Sequence, residues 1–385
     1  MLRSRIHLAS VIIALSVSVV LFSQQTFEEF KQQQQGAFSD FVDPYANYSA
    51  LVTQQYDAYL QEQQAAYDAW KAEIEAKWDQ FRESSTTVYV DYDEDTNARA
   101  AIDYEKGEVE VEVIVEADEP EPDKVAEEKL KEKVADVVSK PAPDEKPMLQ
   151  GQVADKKGKP VEPKEAKTFA KEVVKEQKPE KKTYTAKDGT KRVAYKVKVK
   201  MLPDHEKTRA ERFRDEVVRQ AKRFKVDPAT AFAIMHTESY FNPQAKSHIP
   251  AYGLMQLVPK SGARDAYLYV YGKDKVVRGN YLYVPRNNIE LGCAYIAKLR
   301  HVYFKRMEDD LSAYYCVIAA YNTGPGNVSR ALTGTTKLRP LTDTVNGHDA
   351  DWVYRNLKKK LPYEETRKYL DKVTDRIAYY QEWTK

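Results

Sequence analysis

The chain has 385 residues, enough for two or three domains, and 42% of them are hydrophobic, enough for a packed core. Lys and Arg number 61 against 59 Asp and Glu, so the formal net charge is only +2. That balance gives no overall basic field and argues against nucleic acid as a partner. The two cysteines, Cys293 and Cys316, lack metal-ligand spacing. No metal or cofactor is expected, and pairing of the two thiols stays open.

Taken in chain order, Arg3 and Arg5 precede an uncharged run from His7 to Gln25. A short basic stretch before an apolar run reads as a secretory signal. Residues 1–25 are therefore expected to be a signal peptide or an uncleaved N-terminal anchor. Either exports the rest to the periplasm, with membrane association in the second case. No lipoprotein-type cysteine follows the run.

Residues 26–116 read as a helix plus a small antiparallel sheet. Tyr56, Tyr59, Leu60, Tyr67, Trp70, Ile74, Trp78 and Phe81 recur at steps of three and four over 26–83, the spacing of one helix face. From Thr86 the period becomes two. Glu108 to Val113 alternates strictly, as in a strand with one buried and one wet face. Residues 117–180 are rich in charge and proline and read as a solvated linker or insertion. Residues 181–202 form a hairpin around Asp188-Gly189, which is expected to return to the first sheet. Residues 203–385 are mainly helical, so the fold class is α+β overall.

The chemistry centres on the helix that starts at Asp227-Pro228, with Asp as N-cap and Pro at the first helical position. Ala231, Ile234, Met235 and Glu238 share one face. A carboxyl set beside an apolar core is desolvated, which raises its pKa and suits it to general-acid work. Periodicity alone is equally served by a paired structural glutamate. Leu311, Tyr315, Ile318 and Asn322 share another face, where a buried Asn would require partners. Gly292 within a helix points to a close helix contact or backbone approach to substrate.

Glu238-Ser239-Tyr240-Phe241-Asn242-Pro243, then Ala245-Lys246-Ser247 and Gly253-Leu254-Met255-Gln256, resemble the opening signature of the family 1 lytic transglycosylases. Asn288-Ile289 with Gly292, Tyr295-Ile296 and Leu299 resembles the second motif, Ala320-Tyr321-Asn322-Thr323-Gly324 the third, and Glu365-Thr366-Arg367-Lys368-Tyr369 the last. Residues 77–113 resemble the N-terminal domain of the C-type members. The resemblance implies a lysozyme-like α domain preceded by a smaller helix-plus-sheet domain. It implies non-hydrolytic cleavage of the MurNAc–GlcNAc β-1,4 bond of peptidoglycan glycan strands, leaving 1,6-anhydroMurNAc ends. Glu238 is implied as acid and then base. Ser239, Ser247, Met255, Gln256, Tyr321, Asn322 and Tyr369 are implied to bind or orient the sugars. The tyrosine-rich stretch from Lys260 to Arg286 departs from the common pattern and resembles an insertion of the C-type members.

Two other readings carry different consequences. A hydrolytic muramidase needs a second carboxylate to handle water, with Asp265 or Glu290 as the acids to check. A catalytically retired, peptidoglycan-binding protein would keep the cleft without turnover.

Overall fold

The computed structural model describes Gln32 and residues 46–384; the expected signal segment lies outside the described residues. The chain divides into two compact units, residues 1–60 and 61–385. In the first, residues 46–60 are helical. Among the described residues no helix is long and apolar enough to cross a membrane.

The second unit begins with helix α1 over residues 61–77, ending a few residues short of the expected 83. Strands β1 (Val88–Tyr92), β2 (Ala98–Asp103), β3 (Glu108–Glu116), β4 (Glu180–Thr185) and β5 (Lys191–Lys200) form one antiparallel sheet, ordered β1-β2-β3-β5-β4. The hairpin of residues 181–202 thus pairs directly with β3, Val111 opposite Val197. The alternation in β3 divides the sheet into two environments. Val109, Val111, Val113 and Val115 enter the main core of the sheet region. Glu110 and Glu112 point the other way, where Arg82 meets both and Arg99 meets Glu112 at 2.6 Å. That second face is less wet than alternation implies, because Ile74 and Trp78 pack with Ile114 against it.

The expected linker, residues 117–180, is instead part of the fold. Helix α2 (Pro122–Ser139) buries Ala126, Leu130, Val134, Val137 and Val138, and helix α3 (Ala166–Gln177) buries Phe169, Ala170, Val173 and Val174. These stripes cover the valine face of the sheet. Composition misleads here because each stripe is narrow and most of the intervening residues are charged. The prolines fall before and at a helix start (Pro120, Pro122), in the connection between the helices (Pro141, Pro143, Pro147, Pro160, Pro163) and just after α3 (Pro179), where a missing N–H costs nothing.

The remaining residues build an all-helical region: α4 (His205–Phe224), α5 (Pro228–Ser239), α6 (Arg264–Tyr271), α7 (Gly279–Tyr283), α8 (Pro285–Lys298), α9 (Asp310–Thr323), α10 (Pro325–Thr333), α11 (Leu338–Asn346), α12 (Ala350–Lys360) and α13 (Glu364–Trp383). The helix expected over 288–304 widens after Lys298 and continues as a π-type turn, Leu299–Tyr303. Helix α5 is buried around nearly its whole circumference, as expected of an Ala-rich helix that is apolar on every side. Cys293 and Cys316 are both buried and free.

Candidate active site

Helix α5 sets the position of Glu238. The Asp227 carboxylate caps it, accepting from the backbone N–H of Thr230 at 2.9 Å, and Pro228 opens it. Tyr240 ends it in the left-handed conformation at φ 48°, and Phe241 follows at φ 61°. Glu238 therefore stands in the last turn. It keeps intermediate exposure, yet its carboxyl is enclosed enough that its pKa rises from 4.5 to about 8. Desolvation is the main cause. The negative charge of Glu365 adds to it, and the Tyr369 hydroxyl opposes it. The helix C-terminus carries partial negative charge and disfavours the carboxylate further.

Three other segments converge on this turn. From α13 comes Tyr369, buried, its hydroxyl beside the Glu238 carboxyl. That contact falls short of full hydrogen-bond geometry, and no other described residue partners the hydroxyl. From α9 comes Tyr321, whose hydroxyl donates to the Met255 carbonyl at 2.8 Å and whose pKa is raised by burial and then by the Glu238 charge. Beside it Asn322 accepts from Thr366 Oγ1 at 2.6 Å, tying α9 to α13. The third segment is the loop 245–257. Gln256, at φ 43°, donates through Nε2 to the Gly253 and Ala245 carbonyls at 2.9 and 3.1 Å. Its Oε1 is buried without a partner among the described residues.

Not every expected site residue faces open space. Ser239 is fully buried, its hydroxyl donating to the Leu254 carbonyl at 2.7 Å, so it fastens α5 to the loop and is not placed to touch a ligand. Met255 is also fully buried and supports the floor from beneath, packed on Gly292. A Cβ on Gly292 would come within 2.2 Å of Met255 Sδ, which explains a glycine inside α8. Ser247 spends its hydroxyl inside the 247–251 loop, donating to the Ile249 carbonyl and accepting from Ala251 N–H. The acids considered as second carboxylates are engaged elsewhere. Asp265 meets Tyr303 and Lys298, and Glu290 meets Arg223 and Tyr271.

Asn288, which the sequence offers only as a motif position, proves central. It is fully buried, accepts from Met255 N–H at 2.8 Å, and donates to the Tyr252 and Leu282 carbonyls, each at 2.8 Å. One side chain thus satisfies three backbone groups of the floor and its neighbour. Gly253 lies against the same bracket at φ 75°, where a Cβ would sit 2.3 Å from the Leu282 carbonyl. The sequence signal was a polar residue amid the apolar positions of α8, which requires partners.

Residues 216–340 match the Transglycosylase SLT domain. Residues 54–212 match the N-terminal domain of membrane-bound lytic murein transglycosylase C. The chain thus carries a region similar to the SLT-type transglycosylase domain, preceded by one similar to the N-terminal domain of the C-type enzymes. Similar proteins include membrane-bound lytic murein transglycosylase C of Salmonella arizonae, 35% identical over 236 residues that make up 61% of this chain and 63% of that one. The protein of the same name from Klebsiella pneumoniae is 38% identical over 182 residues, 47% of this chain and 50% of that one. The chain thus spans less than two thirds of the length of these relatives. Among solved structures, lytic transglycosylase Slt from Pseudomonas aeruginosa is 31% identical, covering 44% of this chain and 24% of that one, with a TM-score of 0.34.

Proposed function

We propose that this protein is a lytic transglycosylase that cleaves the MurNAc–GlcNAc β-1,4 bond of peptidoglycan without consuming water, leaving 1,6-anhydroMurNAc ends. The observation that carries this reading is the desolvated carboxyl of Glu238, held protonated up to a pH of about 8. A protonated carboxyl can donate to the glycosidic oxygen as the bond breaks. The charge that develops at C1 is then met by the sugar's own N-acetyl group. Glu238, now a carboxylate beside the Tyr369 hydroxyl, takes the proton from the C6 hydroxyl as that oxygen attacks C1 and closes the ring. Atoms balance within the substrate, and one carboxyl serves both steps. Gln256, its amide fastened to the Gly253 and Ala245 carbonyls, forms the floor of the cleft. Tyr321 and Asn322 shape the wall above it. Glycan strands of the wall are the partner, which places the activity in the periplasm, with the apolar N-terminal run as the export signal or anchor.

Digestion of purified sacculi in ¹⁸O-water tests this. Products are expected to lack ¹⁸O at the new ends and to be lighter by one water than hydrolysis products. Incorporation of one ¹⁸O per cut would overturn the reading in favour of a hydrolase. The exposed Glu365, whose charge reaches Glu238, would then be the second acid to test.

The Tyr369 hydroxyl stabilises the ionised form of Glu238. Tyr369→Phe is therefore expected to move the alkaline limb of the kcat–pH profile upward. It should also slow turnover about 10-fold or more, since hydrogen bonds to charged groups contribute about 1.5–3 kcal/mol. A limb that stays in place or moves downward would show that Tyr369 does not touch the working acid.

A further inference from the structure

Arg209 on α4 is a buried charge, only 3% exposed. Among the described residues no carboxylate pairs with its guanidinium. Instead the cation is ringed by neutral acceptors drawn from two regions of the fold. Nη2 donates to the Tyr104 carbonyl, at the turn between β2 and β3, at 2.8 Å. Nη1 donates to Gln152 Oε1 at 2.7 Å and lies 2.8 Å from His205 Nδ1. Nε donates to the Tyr240 carbonyl at 3.0 Å. Tyr240 ends the helix that carries Glu238.

The same turn is gripped twice more from the sheet region. The Tyr240 hydroxyl donates to Glu105 Oε1 at 3.0 Å, and its ring packs against the sheet core. Asn242 Nδ2 donates to the Thr86 carbonyl at 3.3 Å. On the other side Arg376 of α13 donates to the Tyr240 hydroxyl at 3.0 Å and to Thr237 Oγ1 at 2.8 Å. Two consecutive residues with side chains, Tyr240 and Phe241, sit at positive φ, a conformation that persists only where the surroundings enforce it. A buried, unpaired guanidinium is likewise costly unless every donor is used.

We propose that Arg209 is a positioning residue for Glu238, and that through it the sheet region forms part of the frame that holds the end of the catalytic helix. This rests on the reading of Glu238 as the acid and base. Glu238 is two residues before the carbonyl that Arg209 holds, so a shift of that turn moves the carboxyl relative to Tyr369, Glu365 and Tyr321, the ionisable groups that face it from α13 and α9. Misplacement by about 1 Å costs about 10²-fold in rate, and a loosened turn admits water to the carboxyl.

The test compares Arg209→Met, Arg209→Lys and Tyr240→Phe in the full chain, each checked for cooperative thermal unfolding. For Arg209→Met, kcat on glycan strands is expected to fall about 10- to 100-fold with KM within about twofold of the unaltered protein. The alkaline limb of kcat should move to lower pH, because a hydrated carboxyl ionises earlier. Arg209→Lys should recover part of both changes. Tyr240→Phe, which leaves Arg209 in place and removes only a hydroxyl, should show a smaller loss and the same direction of pH shift. It carries the test if Arg209→Met does not fold. A folded Arg209→Met with an unmoved alkaline limb, or, where that variant does not fold, an unmoved limb in Tyr240→Phe, overturns the proposal even if stability falls. Loss of the functional reading is a separate result, seen as turnover that survives Glu238→Gln.

Discussion

Glu238→Gln is expected to lower glycan cleavage by about 10³-fold or more while leaving the fold intact. General acid–base catalysis contributes about 10²–10⁴-fold, and here one carboxyl is assigned both proton transfers, so the amide loses both. Binding of glycan strands should survive, because the neighbouring polar groups are held by Thr366, Gly253 and Ala245 and not by Glu238. A retired, binding-only protein would show no turnover to lose.

The same substitution has a stability signature with a defined sign. Glu238 titrates near 8 in the folded chain against an ordinary 4.5, so between those values the unfolded chain has released a proton that the folded chain still holds. Stability therefore falls as pH rises through that window. Gln carries no such penalty. The variant should unfold a few degrees above the unaltered protein at pH 8 and at nearly the same temperature at pH 4. Differential scanning calorimetry at the two pH values measures both. Equal unfolding temperatures at pH 8 would mean that the carboxyl ionises normally.

Asn288→Ala is expected to be the most damaging single change in the floor of the site. It strands Met255 N–H and the Leu282 carbonyl and leaves the Tyr252 carbonyl only its bond from Leu257 N–H, all three residues being buried. Each unmade buried hydrogen bond costs about 1–3 kcal/mol, so a loss of about 3–5 kcal/mol is expected after partial relaxation. Urea titration should show a midpoint well below that of the unaltered protein. Asn288→Asp keeps the acceptor for Met255 but turns two donors into an acceptor facing two carbonyls, and should be no better. A loss under about 1 kcal/mol in either variant would show that the bracket is replaceable.

Much of this was legible in the sequence, for identifiable physical reasons. Strict alternation at Glu108–Val113 fixes which side chains face the sheet core, and Asp188-Gly189 forces the hairpin that completes the sheet. The cap at Asp227-Pro228 sets the phase of α5 and so the face on which Glu238 falls. Residues 117–180 read as a linker because their two stripes, each of five buried apolar residues, are diluted by charge. Composition averages over a helix, whereas burial depends on one face of it. Arg209 escaped for a related reason. It lies four residues before Phe213 and eight before Val217, in line with the buried stripe of α4, and a charge in that register is the signal for a buried, multiply bonded cation. Ser239 and Ser247 spend their hydroxyls on nearby backbone groups, a structural duty that position in a motif does not reveal.

The central claim is that the Glu238 carboxyl is protonated at neutral pH, and titration of that group tests it most directly. With side-chain carboxyls of glutamate labelled with ¹³C, the resonance lost in Glu238→Gln identifies the group, and its shift is followed from pH 3 to pH 10. A midpoint near 8 is the predicted result. A midpoint between 4 and 5, the range of an ordinary solvated glutamate, would contradict the assignment of Glu238 as the acid.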